Sequence, residues 1–295
     1  MSAPSPGSRS WGDQADLTSR LLGANQAGFG NLFWDIFLAK GVHVSPLSER
    51  DRAEVERSAG EARQLTVEPP RRDQVERYLN PRPDTAFPLE YSFSLLGDIR
   101  GKTVLDFGCG SGENIVPLVQ RGARVIGIDI SPDLIELARK RLALAGLEAT
   151  LQVGSGYETG LPDGSVDVIF CIALIHHLDI EQVRKEMLRI LARDGKIILQ
   201  EPIRFSRIYD RLRNLLPDRD DISEYEHPLT RAEFAAINEP FKADGTRYFR
   251  LPFLPLLSGT LGLQGPSLWK IDRWCLQHLP ATSRYATCVV TRLGR

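Results

Sequence analysis

The chain has 295 residues, with 37 Lys and Arg against 38 Asp and Glu for a net charge of -1, and it is 42% hydrophobic and 25% charged. These proportions are ordinary for a soluble globular protein, and the balanced charge gives no push toward nucleic acid or an acidic surface. The 4 cysteines (Cys109, Cys171, Cys275 and Cys288) fall in no CxxC or Cys/His spacing, so free thiols in a reducing compartment are expected and no metal site is.

The first 15 or so residues are rich in Ser, Pro and Gly and read as disordered, with no apolar run of the kind a secretory signal needs. Phe29, Leu32, Phe33, Ile36 and Phe37 then recur at the spacing of one helix face, with Gly41 as a stop. Residues 48–65 form a polar helical segment with Ser48 as its cap. Five prolines between Pro69 and Pro88 punctuate a loop-rich approach, and a short helix is expected over 89–97.

From Lys102 the rhythm changes to short apolar strands separated by helices. Strands are expected at 102–107, 124–129, 149–153, 166–171 and 195–200. Helices are expected at 112–121, after the Ser131 cap with Pro132 in its first turn, and at 180–192. Alternation of this kind predicts an α/β fold, a doubly wound, mostly parallel sheet with helices on both faces. After Glu201 the alternation breaks. A helix at 230–238 and two last strands, 246–251 and 284–291, bring the expected sheet to seven. The apolar stretch 249–263 is too short and too interrupted by proline to span a bilayer. The division implied is a helical N-terminal extension, 1–88, that serves as a lid, and a core, 89–295, with a lid-like insertion at 202–245.

The most informative run is Val104-Leu105-Asp106-Phe107-Gly108-Cys109-Gly110-Ser111-Gly112-Glu113, a buried strand entering a glycine-rich turn that opens a helix. Open α/β sheets bind ligands at the carboxyl ends of their strands, where the winding reverses. Gly108, Gly110 and Gly112 let the backbone turn sharply and come close to a ligand. A dinucleotide site wants a further glycine where Glu113 stands, and a carboxylate there repels a pyrophosphate. Asp106 before the turn favours a cationic ligand instead. Asp129, at the end of the second strand, can accept both hydroxyls of a ribose. S-adenosylmethionine has a ribose, a sulfonium, an α-amino group and no phosphate.

This turn resembles the first motif of the class I S-adenosylmethionine-dependent methyltransferases, within their type 11 group. Val125-Ile126-Gly127-Ile128-Asp129-Ile130-Ser131 is similar to their second-strand motif. The runs 160–170 and 191–200 are similar to the motifs entering the fourth and fifth strands, so the resemblance covers about residues 90–201. It implies S-adenosyl-L-methionine as cofactor, with Asp106, Gly108, Cys109, Gly110 and Gly112 along the methionine portion, Asp129 on the ribose and Ile130 on the adenine. Tyr91 is a further candidate, closing over the cofactor. Many members carry an Asp after the third strand, and here Ser155 and Gly156 stand in its region, with Glu158 nearby.

Methyl transfer asks the protein mainly to align nucleophile and methyl, with a base where the nucleophile carries a proton. His176 and His177 follow the fourth strand and Glu201 ends the fifth; His227 sits in the insertion beside Tyr225 and Glu226. His177, His227 and Glu201 are the candidate catalytic groups, although loop-shaping roles compete for each. The expected acceptor is a small molecule, lipophilic or aromatic, handled by a cytoplasmic protein whose N-terminal aromatic helix packs as a lid or on the second subunit of a homodimer. No nucleic-acid partner is expected, because no basic run with interleaved aromatics occurs. A protein methyltransferase, and a cofactor-binding cyclase or sensor on the same scaffold, are the alternatives, with a nicotinamide oxidoreductase as a third class.

Overall fold

A computed structural model describes residues 48–68, 71–206, 227–252, 254 and 265–295. The expected helix around Phe29 to Phe37, Trp34 included, and the neighbours Tyr225 and Glu226 lie outside the described residues. From Leu47 onward the chain clusters as one unit.

Strand β1 (Thr103–Phe107) leads into helix α4 (Ile115–Gln120), and β2 (Arg124–Asp129) into α5 (Pro132–Ala145). Then follow β3 (Thr150–Val153), β4 (Val166–Ile172), a short 3-10 turn (Ile175–His177), α6 (Ile180–Ile190) and β5 (Leu191–Pro202). Before this core stand α1 (Glu49–Gln64), α2 (Arg72–Leu79) and α3 (Pro88–Leu95). After it come α7 (Arg231–Asn238), β6 (Lys242–Phe249), α8 (Gly265–His278) and β7 (Cys288–Gly294).

The seven strands form one sheet in the order β3-β2-β1-β4-β5-β7-β6. β1 to β5 are mutually parallel, and β7 enters antiparallel between β5 and β6. The winding therefore reverses beside β1, which places a crevice at the carboxyl ends of β1, β2 and β4.

Alternation along the strands explains the two-sided burial. On β1 and β4, Leu105, Phe107, Ile169 and Cys171 face one core with Val183, Met187 and Ile190 of α6. Val104, Val168 and Phe170 face the other, with Phe93, Ile115, Leu118, Ile135 and Leu142. Phe170 is wholly buried and packs 4.9 Å from Phe93. Removing such a ring costs about 3–5 kcal/mol.

The sequence also fixes the helix ends. Ser48 and Asp51 make a reciprocal capping box on α1, Ser131 caps α5, and Gly146 closes α5 at φ 63°. Three expectations need adjustment. The proline-rich segment before the core holds a helix, α2, because the intervening run 72–79 contains no proline. The last two strands shift to 242–249 and 288–294, since Pro280–Tyr285 is a 3-10 turn. The fifth strand starts at Leu191, directly after α6, with a register break between Val166 and Val168. Among the described residues no helix is long and apolar enough to cross a membrane.

Candidate functional site

The glycine turn joins β1 to α4 at the crevice. Gly108, Gly110 and Gly112 all have positive φ, at 72°, 50° and 78°. Their surroundings separate their roles. A Cβ on Gly112 would lie 2.9 Å from the Cβ of Ala138 and 3.1 Å from its Cα, so this glycine serves the packing of the turn on α5. A Cβ on Gly108 would meet Leu174 at 2.7 Å. At Gly110 it would meet nothing within 4 Å, because that face opens into the cleft.

Asp129 holds the turn in place. Its Oδ2 accepts from the Gly110 N–H at 2.8 Å and its Oδ1 from the Ser131 N–H at 2.9 Å. Each oxygen keeps a second lone-pair direction for a ligand hydroxyl. Burial raises its pKa above the ordinary carboxylate range, and the charges of Glu54 and Glu61 add to this, while the two N–H groups act against it.

Asp106 is 1% exposed, and its Oδ2 has no hydrogen-bond partner. Burial, with the negative charge of Asp129 added, pushes its pKa up to about 8. A buried polar atom without a partner costs about 1–3 kcal/mol, so such atoms are uncommon unless a ligand completes them. The residues present fit a ligand with an ammonium and a sulfonium: an orphan carboxyl beneath the turn, a second carboxylate at the β2 end, and an open face at Gly110.

The cleft encloses about 820 Å³, part of it open to solvent. Its walls include Phe107, Ile128, Ile130 and Leu134 near the turn, and Ala173, Leu174, His177 and Leu178 after β4. Ala173 holds φ 54°, an uncommon state for a residue with a side chain. Across the opening lies α1, which packs on α5 and contributes Arg50, Asp51, Glu54, Arg57, Ser58 and Glu61.

Of the residues singled out in the sequence, Gly108, Gly110, Asp129, Ile130, Gly156 and His177 line this cleft. Asp106 lies buried under the turn, and Cys109 and Gly112 serve its packing; burial raises the Cys109 thiol well above its ordinary pKa. Ser155 is not part of the wall; its Oγ accepts from the Tyr157 N–H.

Three expectations are corrected. Tyr91 does not close over the cleft, because its hydroxyl donates to the Gly245 carbonyl on β6, at the far edge of the sheet. Glu201 is fully buried and holds the β4 loop: Oε1 accepts from the Leu174 and Ile175 N–H groups, and Oε2 bonds His176 Nδ1 at 2.8 Å. Both of its oxygens are engaged inside the core, and it is not part of the cleft wall. His227 bonds Glu233 at 3.0 Å beside the first turn of α7 and is not part of the cleft wall.

The α1 side chains were missed. Arg50, Glu54, Arg57, Ser58 and Glu61 occur at i, i+4, i+7, i+8 and i+11, one continuous helix face. A polar stripe at that spacing ordinarily faces water. The signal of a different role was its mixture of acids and arginines opposite no apolar stripe.

Residues 105–199 match the family model described as a methyltransferase domain. That segment runs from β1 to β5. Over 134 residues the chain is 30% identical to an ajmaline N-methyltransferase of Rauvolfia serpentina, covering 44% of this chain and 43% of that protein. Over 108 residues it is 32% identical to a ubiquinone biosynthesis O-methyltransferase of Xanthomonas oryzae pv. oryzae (strain PXO99A), covering 35% of this chain and 44% of that one. The chain thus spans less than half the length of these curated relatives. Its fold is similar to that of a geranyl diphosphate C-methyltransferase from Streptomyces coelicolor A3(2), solved with Mg2+, geranyl diphosphate and S-adenosyl-L-homocysteine. That likeness has a TM-score of 0.56 at 14% identity, and covers 85% of this chain and all of that one.

Proposed function

We propose that this protein is an S-adenosyl-L-methionine-dependent methyltransferase acting on a small-molecule acceptor of lipophilic or aromatic character. The observation that carries this reading is the buried, unpartnered Oδ2 of Asp106 beneath a glycine turn whose middle glycine faces open space. A cationic amino group is a partner that completes such an oxygen and draws the carboxyl into its ionised form. The methyltransferase domain over 105–199 supports the same reading, as does the structural neighbour solved with S-adenosyl-L-homocysteine. On this reading residues 89–295 are the catalytic core, and the extension before them supplies α1 as a cover over the cleft.

When bound, the cofactor supplies a methyl group already activated on a sulfonium. The chain's own work is then to hold and to align. Asp106 receives the amino group, Asp129 receives the ribose hydroxyls, and the Gly110 backbone allows close approach. Ile130, with Ile128 and Leu134, provides an apolar bed for the adenine. Phe107, Leu174 and Leu178 keep water from the transfer end and suit an apolar acceptor.

Calorimetry with S-adenosyl-L-homocysteine and with NAD tests the reading. Binding of the first and none of the second is expected, and the reverse result overturns the proposal. Asp129→Ala should weaken that binding by about 1–3 kcal/mol through lost charge-assisted hydrogen bonds. An unchanged dissociation constant would take Asp129 out of the ligand site.

A further inference from the structure

His176 and His177 are adjacent in sequence but differ in what they can do. His176 is 6% exposed and committed to Glu201 through Nδ1. Its ring lies 4.0 Å from that of His177, centroid to centroid, and fixes the position of its neighbour. His177 lines the cleft, and its Nδ1 is 3.3 Å from Oε2 of Glu54 on α1. Glu54 is itself anchored: Arg57 donates to its Oε1 at 2.6 Å and to its Oε2 at 3.2 Å, and the Ser58 hydroxyl donates to Oε1 at 3.1 Å. An anchored carboxylate on one imidazole nitrogen, with the other nitrogen left over in a cleft, is the arrangement that orients a histidine as a base.

We propose that Glu54 and His177 form a proton-accepting pair assembled across the cleft, and that the acceptor is a hydroxyl compound, an alcohol or a phenol. This rests on the methyltransferase reading above. Nδ1–H of His177 donates to Glu54, which leaves Nε2 with its lone pair. In the transfer, the O–H bond of the acceptor breaks and its proton passes to Nε2. The oxygen pair forms the new bond to the methyl carbon, and the pair of the broken C–S bond stays on sulfur. The imidazolium is stabilised by the Glu54 carboxylate, and no further reactant is needed.

Charge around the pair is consistent with this role. Although burial acts to raise the pKa of Glu54, hydrogen bonds from His177 and Arg57, reinforced by their positive charges, hold it down at about 2. Glu54 is therefore ionised throughout the working range. The other titratable and charged groups around the pair are Arg50, Asp51 and Glu61 on α1, Asp129 at the end of β2, and His176 with Glu201 beneath. Arg50 also reaches the loop itself, donating to the His176 carbonyl at 3.3 Å. Because Glu54 lies on α1, outside the segment 105–199, the oriented base exists only while α1 covers the cleft.

Nitrogen-15 NMR of the imidazoles in the full chain, assigned with His177→Gln, reads the pair without any turnover. The expected result is an Nδ1–H tautomer at His177 that is lost or mixed with the other tautomer in Glu54→Gln, where the carboxylate that selects it is gone. An Nε2–H tautomer, or the same tautomer in Glu54→Gln, overturns the pair. A panel of phenols, alcohols and amines with methyl-labelled cofactor reads the substrate class. Methyl recovered on oxygen is expected, with kcat at least about tenfold lower in Glu54→Gln and partly restored in Glu54→Asp. Methyl recovered only on nitrogen or carbon overturns the hydroxyl assignment. Binding of S-adenosyl-L-homocysteine is measured on the same proteins as a separate reading of the cofactor site. Its absence in the unsubstituted protein sinks the methyltransferase reading instead, so the two failures are separable.

Discussion

Replacing Asp106 with Asn separates the cost of an empty site from the gain of a filled one. In the free protein Asp106 has a carboxyl pKa of about 8 where an unfolded chain has 3.8. The native state therefore binds the extra proton between those two values, and stability falls as pH rises through that window. At pH 7 the gap from the unfolded value is about 3 pH units, at about 1.4 kcal/mol each, so the ceiling on the cost is about 4 kcal/mol. Water entering the open cleft lowers that figure, and a gain of about 2 kcal/mol for Asp106→Asn in the free protein at pH 7 is expected. Ligand binding should reverse the ranking. A cationic amino group draws Asp106 into its ionised form, so binding at pH 7 releases close to one proton from a carboxyl that is mostly protonated beforehand. The ligand's own α-amino group is already largely protonated at that pH and adds little. Calorimetry of S-adenosyl-L-homocysteine in two buffers of different ionisation enthalpy counts the protons. The unsubstituted protein should release about one, and Asp106→Asn none, with weaker binding. Zero release from the unsubstituted protein would refute the claim that this carboxyl waits, protonated, for a cation.

Other substitutions probe the neighbouring residues. Gly110→Ala should cost about 1–2 kcal/mol of stability from its positive φ, yet weaken cofactor binding by more than tenfold because its Cβ enters the cleft; equal losses in thermal melts and titrations would count against the open face. Ala173→Gly should raise stability by about 1 kcal/mol in urea unfolding, since φ 54° then carries no steric penalty. Glu201→Ala strands two N–H groups and a buried imidazole, and should cost about 3 kcal/mol or more; a melting temperature unchanged from the unsubstituted protein would show that the β4 loop does not depend on it.

The strand boundaries of the core were legible because both sheet faces are buried, which leaves nearly unbroken apolar runs such as Val166–Ile172. The glycine turn was legible for a different reason: Gly110 and Gly112 must hold positive φ, and few other residues tolerate it. Which of the three glycines faces a ligand was not legible, because that depends on where Ala138 and Leu174 come to rest. Tyr91 failed for the same reason. Its aromatic character and its place before β1 suit a lid, but the register of β6 sets Gly245 beneath its hydroxyl. Long-range pairing of this sort, 154 residues apart, leaves no local trace in the chain.

The histidine pair marks the boundary between the two kinds of information. Both imidazoles follow β4 and look alike in sequence, so their roles are set entirely by what reaches them from elsewhere. Glu201 comes from the adjacent parallel strand and arrives with the fold itself, fixing His176 inside the core. Glu54 comes from a helix that is no part of the sheet and packs on α5 and the cleft rim. Loosening α1 would therefore remove the partner of His177 and the Arg50 bond to the His176 carbonyl, while the bond between His176 and Glu201 lies within the core. On the proposed reading, the proton-accepting pair depends on a helix outside the sheet, whereas the groups that hold the cofactor stand at the sheet edge.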